Sequence, residues 1–141
     1  MQTTFTVQTR GPGLYEVTPQ VAAWVAEGAE TGRTEGLLTL FVRHTSCSLL
    51  VQENADPDVQ RDLLAWLGRL VPPADAPEMD YLVHRAEGPD DMPAHIKAAH
   101  LPVSVNIPVM DSEMRLGTWQ GIYLFEHRAA AHRREIAGWL G

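Results

Sequence analysis

The segment EGLLTLFVRH, residues 35–44, is apolar at both strand parities. Successive side chains of a strand point to opposite faces, so Leu37 and Phe41 face one way and Leu38, Leu40 and Val42 the other. A strand apolar on both faces is expected inside a sheet that is covered on each side. His44 shares the parity of Leu38, Leu40 and Val42 and falls at the end of that face.

The rest of the chain is read around this strand. Phe5 and Val7 alternate with polar residues, as in a half-buried strand, and LYEV after the turn RGPG reads as a second. TPQVAAWVAEGAETG reads as a helix with Thr18 as N-cap, Pro19 in its first turn and Gly32 as its stop. Val21, Trp24, Val25 and Gly28 share one face. SLLVQE is the next strand. ADPDVQRDLLAWLGRL is the clearest helix, capped by Asp56 and opened by Pro57, with Val59, Leu63, Trp66, Leu67 and Leu70 as an apolar stripe. YLVHR reads as a short strand, DDMPAHIKAAH as a short helix, and LPVSVNIPV, RLGTWQGIYLFEHR and RREIAGWL as strands. Runs of strands with interspersed helices point to an α+β fold.

At 141 residues the chain is expected to be one domain, 1–141, with enough length to bury a core without disulfides. A formal net charge of −7 argues against a nucleic-acid partner, which needs a basic face. No apolar run is long enough to span a bilayer, and MQTTFTVQTRG lacks the charged start and apolar core of a signal peptide. Cys47 is the only cysteine, which excludes an intrachain disulfide and fits a reducing compartment. The expectation is a complete cytoplasmic chain with neither nucleic acid nor membrane as partner.

Several polar residues sit where packing alone does not call for them. His44, Thr45, Ser46, Cys47, Glu53 and Asn54 follow the buried strand. His44, His84 and His95 lie on three separate elements and would suit a divalent metal, zinc or magnesium, since neutral imidazole is a common ligand. Each also has a plain reading as a hydrogen-bonded or surface histidine, and no HExxH or CxxC is present. Asp90 and Asp91 suit a helix cap, a magnesium ligand or a partner for a histidine's second nitrogen. Lys97 stands two positions from His95, a spacing that does not share a helix face. Gly121 inside a strand signals a bulge or a close approach of backbone or ligand. Glu126 is either a general base or a strand-end carboxylate paired with Arg128 or another basic residue. Cys47 reads as an inert core thiol.

Together HTSCSLLVQENADPDV, YLVH, DDMPAHIK, IPV and LGTWQGIYLFEHR resemble the YjbQ family, also called UPF0047 or the secondary thiamine-phosphate synthase family. The resemblance runs from Phe5 to the last strand. It implies a small α+β fold with strands layered as a β-sandwich, a homotrimer, and a cytoplasmic protein. It also implies weak thiamine-phosphate synthase activity, which joins a pyrimidine pyrophosphate to a thiazole phosphate. The matched polar positions are His44, Thr45, Ser46, Glu53, Asn54, His84, Asp91, His95, Lys97, Trp119, Gln120 and Glu126.

On that resemblance, two functions are expected. The first is an enzyme acting on a phosphorylated small molecule. Its metal ligands would be His44, His84 and His95, its proton-transfer groups Glu126 and His95, and its substrate contacts Ser46, Asn54, Lys97, Trp119 and Gln120. The alternative is a trimer that binds a metal or phosphometabolite without turnover.

Overall fold

A computed structural model describes residues 1–141. Its strands are β1 Gln2–Gln8, β2 Gly13–Glu16, β3 Gly36–Val42, β4 Cys47–Glu53, β5 Ser104–Met110, β6 Glu113–Met114, β7 Gln120–Glu126 and β8 Arg133–Leu140. The α-helices are α1 Thr18–Glu27, α2 Pro57–Leu70 and α3 Asp91–His100. The fold is α+β, with two antiparallel sheets ordered β1-β8-β3-β5-β6 and β2-β7-β4.

The strand that is apolar on both faces is β3, and it lies in the interior of the five-stranded sheet, paired with β8 on one side and β5 on the other. Its Leu38, Leu40 and Val42 face inward. They join Phe5 and Val7 of β1, Ile136 and Leu140 of β8, Leu49 of β4, and Ile122 and Leu124 of β7 in one core. Burial of each such side chain contributes about 1.5–3 kcal/mol against the exposed state. Helix α1 closes that core with Val21, Trp24 and Val25, and the Trp24 ring meets Phe5 edge-on at 5.8 Å. The outer face of β3 instead leaves Leu37 and Phe41 exposed, next to Trp139 of β8.

Local chemistry sets the element ends. Asp56 caps α2 by accepting from the Asp58 N–H at 2.9 Å, as its sequence predicts. Thr18 does not cap α1; its hydroxyl accepts the Ile122 N–H of β7 at 2.8 Å and ties helix to sheet. Asp111 and Ser112 both take positive φ, 55° and 62°, in the two-residue turn between β5 and β6, as a tight hairpin requires.

Three further expectations change. Tyr81–Arg85 is not a strand but irregular chain that follows a turn at Tyr81, and Val83 stands almost wholly in solvent. Strand β7 starts at Gln120, because the Gln120 side chain accepts the Gly117 N–H at 2.7 Å and the Gln120 N–H donates to the Gly117 carbonyl at 2.9 Å, closing a turn. The apolar stripe of α2 is only partly used: Leu67 is buried, whereas Trp66 and Leu70 are exposed.

Candidate metal centre

Helix α3 begins where the chain leaves the loop that carries His84. Asp91, in its first turn, and His95, one turn later, lie on the same helix face. Asp91 is nearly closed off, its side chain 3% exposed, while those of His84 and His95 are 45% and 34% exposed. Asp91 Oδ2 lies 2.7 Å from His84 Nε2 and 3.5 Å from His95 Nε2. One potential ligand atom from each of these three residues falls within 4.8 Å of the others.

The surroundings orient this group. Arg128, just past β7, bonds Asp91 Oδ1 through one terminal nitrogen and Asp90 Oδ2 through Nε at 2.9 Å. Its other terminal nitrogen donates to the Glu87 carbonyl at 3.2 Å. Asp90 also accepts the Ala129 N–H at 2.8 Å. Burial alone would raise the Asp90 carboxyl; that N–H and Arg128 outweigh it and hold it below the usual carboxylate range. His95 Nδ1 lies 3.0 Å from the Thr45 carbonyl oxygen. A carbonyl only accepts, so Nδ1 carries a hydrogen, which leaves Nε2, on the Asp91 side of the ring, as the nitrogen a metal could take. Two histidines and a carboxylate are a zinc-like donor set, and the ring bonded through its second nitrogen to a carbonyl is the outer support such ligands use.

The other sequence-predicted residues separate. His44 does not join the group: its Nε2 accepts the Glu135 N–H at 2.9 Å, and Asp91 stands in the third place instead. Glu126 does not suit proton transfer. It is 0% exposed and accepts from Arg134 Nε at 2.7 Å, from an Arg134 terminal nitrogen at 2.6 Å, and from the Thr9 hydroxyl at 2.8 Å. The His127 and Arg128 N–H groups add bonds at 3.1 and 3.0 Å. Burial would raise its carboxyl, but the Arg134, Arg128 and Thr9 hydrogen bonds prevail and hold it low. Its ion-pair partner is therefore Arg134 rather than Arg128. Ser46 is buried and accepts from Arg134 at 3.0 Å, so it is occupied as well.

Lys97 lines a separate hollow of about 220 Å³ together with Asp90 and His127, and burial lowers its ammonium. Asn54, Trp119 and Gln120 gather at the far end of the three-stranded sheet. The register pairs Glu53 with Gln120 there and Cys47 with Glu126 at the near end. Six strand steps between them amount to about 20 Å, too far for one small ligand to span within a protomer. Trp119 is 63% exposed, and the Asn54 N–H donates to its carbonyl at 3.0 Å. Burial pushes the Cys47 thiol up to about 12, the inert state expected of it.

The comparisons with known proteins agree with the fold. The family described as UPF0047 protein YjbQ-like matches residues 3–141. The chain belongs to that family. A UPF0047 protein of Synechocystis is 44% identical over 130 residues, 92% of this chain and 84% of the relative. The YjbQ protein of Escherichia coli O157:H7 is 39% identical over 139 residues, 99% of this chain and 96% of the relative. Among solved structures, an uncharacterised YjbQ/UPF0047 protein of Clostridium acetobutylicum superposes with a TM-score of 0.83 at 29% identity, covering 99% of each chain. A conserved hypothetical protein of Thermus thermophilus gives 0.81 at 32% identity, again over 99% of each.

Two parts of this UPF0047 chain were not singled out by its sequence. Arg128 is the clamp that joins Asp90, Asp91 and the Glu87 carbonyl; the signal was the EHR tripeptide that begins with the last residue of β7, where Arg128 was read only as a partner for Glu126. The second is a buried pair, Ser48 Oγ to His127 Nε2 at 2.9 Å. His127 packs against Phe125, ring centres 4.7 Å apart. No helix is long and apolar enough to cross a membrane.

Proposed function

We propose that His84, Asp91 and His95 hold a divalent metal, zinc in preference to magnesium, and that the metal receives the phosphate of a small phosphorylated molecule. The observation that carries this reading is the convergence of three ligand atoms within 4.8 Å, with Asp91 fixed from behind by Arg128. Magnesium favours oxygen donors and retained waters, whereas two imidazoles and a carboxylate favour zinc. A metal bound here would neutralise phosphate charge and polarise its oxygens. Arg128 holds the Asp91 carboxylate in place; the Thr45 carbonyl holds His95 with Nδ1–H turned away from the group, leaving Nε2 to bind.

The resemblance to the thiamine-phosphate synthase family implies displacement of pyrophosphate, and such chemistry would use this metal on the phosphate oxygens. A second reading, binding of a metal or phosphometabolite without turnover, is favoured by Glu126, because that carboxylate is committed to Arg134 and is not free to move a proton. The cytoplasm, with its reduced thiols, is the compartment this reading assigns. A homotrimer is the assembly it assigns, supported by the apolar outer face of the five-stranded sheet around Leu37, Phe41 and Trp139.

Elemental analysis of protein purified without a histidine tag tests the metal. About one zinc per chain in the parent, lost in His95→Ala with the fold retained, is the expected result. No metal in either, after zinc is offered and removed by dialysis, overturns it. Pyrophosphate release separates the two readings: steady release from a pyrimidine pyrophosphate and a thiazole phosphate supports turnover, and metal-dependent binding without release supports the second.

A further inference from the structure

The hollow of about 220 Å³ at Lys97 is lined by none of the three candidate metal ligands. Lys97, Asp90 and His127 give it polar character, and Pro12, Val71, Pro73 and Pro93 give it apolar walls. Proline has no N–H, so three of those four positions offer a ligand no backbone donor. Gly68, in the last turn of α2, also borders it, and a Cβ built there would meet no atom within 4 Å.

Two donors serve this space. Ser48 is wholly buried, and its hydroxyl has one partner, His127 Nε2 at 2.9 Å. A buried hydroxyl without an acceptor is costly, so Ser48 donates and Nε2 accepts. The neutral His127 ring therefore carries its hydrogen on Nδ1. Nδ1 has no partner within the protein, and no fully buried side-chain nitrogen or oxygen lacks one. His127 is 4% exposed and lines this hollow, so its Nδ1–H opens into it. The second donor is Lys97, half-buried on the same wall, whose ammonium makes neither a hydrogen bond nor an ion pair. Its charge is the second cause, after burial, of the low His127 imidazole, so the two donors lie near each other. The anion on the wall, Asp90, is already answered: its Oδ2 accepts from Arg128 Nε at 2.9 Å and from the Ala129 N–H at 2.8 Å.

We infer that this hollow binds a small aliphatic monocarboxylate, one oxygen on the Lys97 ammonium and the other on His127 Nδ1–H, with the hydrocarbon chain against the proline walls. Two donors and one unpaired cation match a single carboxylate. A phosphate dianion would bring a third oxygen and a second charge that nothing here meets, beside the Asp90 carboxylate. An apolar cavity of about 150 Å³ admits benzene, so the volume here suits a chain of a few carbons. The site goes beyond the metal reading and does not depend on it.

Nuclear magnetic resonance of the metal-free full chain near neutral pH tests it, with the His127 ring signals as reporter. Butyrate should shift them saturably. Butyramide, of the same shape without the charge, should bind about tenfold or more weakly. Acetate, which lacks two methylenes, should also bind about tenfold more weakly than butyrate. Inorganic phosphate should not displace butyrate. Lys97→Met removes the charge and keeps the stem, and Gly68→Leu places a side chain in space that is empty in the parent. Each should weaken butyrate about tenfold or more, with the circular dichroism of the parent. Equal binding of butyrate and butyramide, or displacement of butyrate by an equal concentration of phosphate, overturns the carboxylate assignment. A shift that appears only after zinc is added places butyrate on the metal; it overturns the hollow and leaves the metal reading standing. No saturable shift in the parent overturns the site outright. If Lys97→Met fails to fold, Gly68→Leu and the probe series on the parent still decide.

Discussion

His95 donates its Nδ1–H to the Thr45 carbonyl at 3.0 Å, which turns its Nε2 toward Asp91 Oδ2, 3.5 Å away. The bond joins α3 to the loop between β3 and β4, two elements distant in sequence. It fixes which histidine nitrogen is available before any ligand arrives.

Zinc affinity should follow this support. Arg128→Gln removes the clamp on Asp91 without touching a ligand, and loss of an outer partner of this kind costs about 10–100-fold in metal affinity. His95→Ala removes a ligand and should cost more. Competition with a chromogenic chelator measures both, and circular dichroism checks that the fold persists. Equal zinc affinity in Arg128→Gln and the parent would remove Arg128 from the site.

Glu126→Gln should destabilise the protein by about 3–5 kcal/mol, because it leaves the Arg134 guanidinium buried without its counter-charge. The pair is wholly internal, with Glu126 fully buried and Arg134 nearly so. The Glu126 carboxyl is held low in the native state. Its contribution is thus fully present above the ordinary carboxyl range and is lost as pH falls through the lower native value. Urea unfolding as a function of pH should show that acid-sensitive component in the parent and not in the variant. A variant within 1 kcal/mol of the parent, in units set by about 1.4 kcal/mol per tenfold, would contradict a structural role for the pair.

Gly121→Ala should also destabilise. A Cβ there would stand 3.0 Å from Glu16 Oε1 and from Tyr123 Cε2, and 3.2 Å from Asn54 Cβ. Overpacking of this kind costs about 1–3 kcal/mol. The thermal midpoint should fall while metal content is unchanged, since Gly121 sits at the opposite end of β7 from Arg128.

What the sequence made legible is what local pattern controls. The doubly apolar β3, the Asp56–Pro57 start of α2 and the alternation of β8 follow from neighbours a few residues apart. At Gly121 the sequence signals a bulge or an approach by backbone or ligand, whereas the side chains that approach it include Glu16 and Asn54, remote in sequence. The pairing of Glu126 was not legible: Thr9 lies 117 residues away in sequence, and a strand-end carboxylate reads alike whether it faces Arg128 or Arg134. The histidines were visible as candidates, but which of them converge depends on where the loop before α3 lies. Asp91 read equally well as a cap, and only the fold shows its carboxylate turned onto His84. YLVH misled because a short apolar run with Tyr and Val suits a strand, while no neighbouring strand is there to pair with it.

His127 should give the protein a distinctive acid sensitivity. Burial first, then the nearby Lys97 charge, push its imidazole down to about 4, with Arg134 adding to the shift and Glu126 opposing it. In the unfolded chain a histidine takes up its proton near pH 6.5. Between about 6.5 and about 4 the unfolded state therefore binds a proton that the native state refuses, and stability falls as pH drops through that window. A shift of this size corresponds to about 3 kcal/mol when complete. Above pH 6.5 both states are neutral and the ring adds no slope. His127→Gln, which can still meet the Ser48 hydroxyl, should flatten the stability profile across the window. Lys97→Gln should move the ring's titration upward by removing the adjacent charge, a change that NMR of the imidazole reads directly. A His127 ring that titrates near 6.5 in the folded protein would refute the account, since it would mean that the pocket around Ser48 and Phe125 admits water as freely as the surface does.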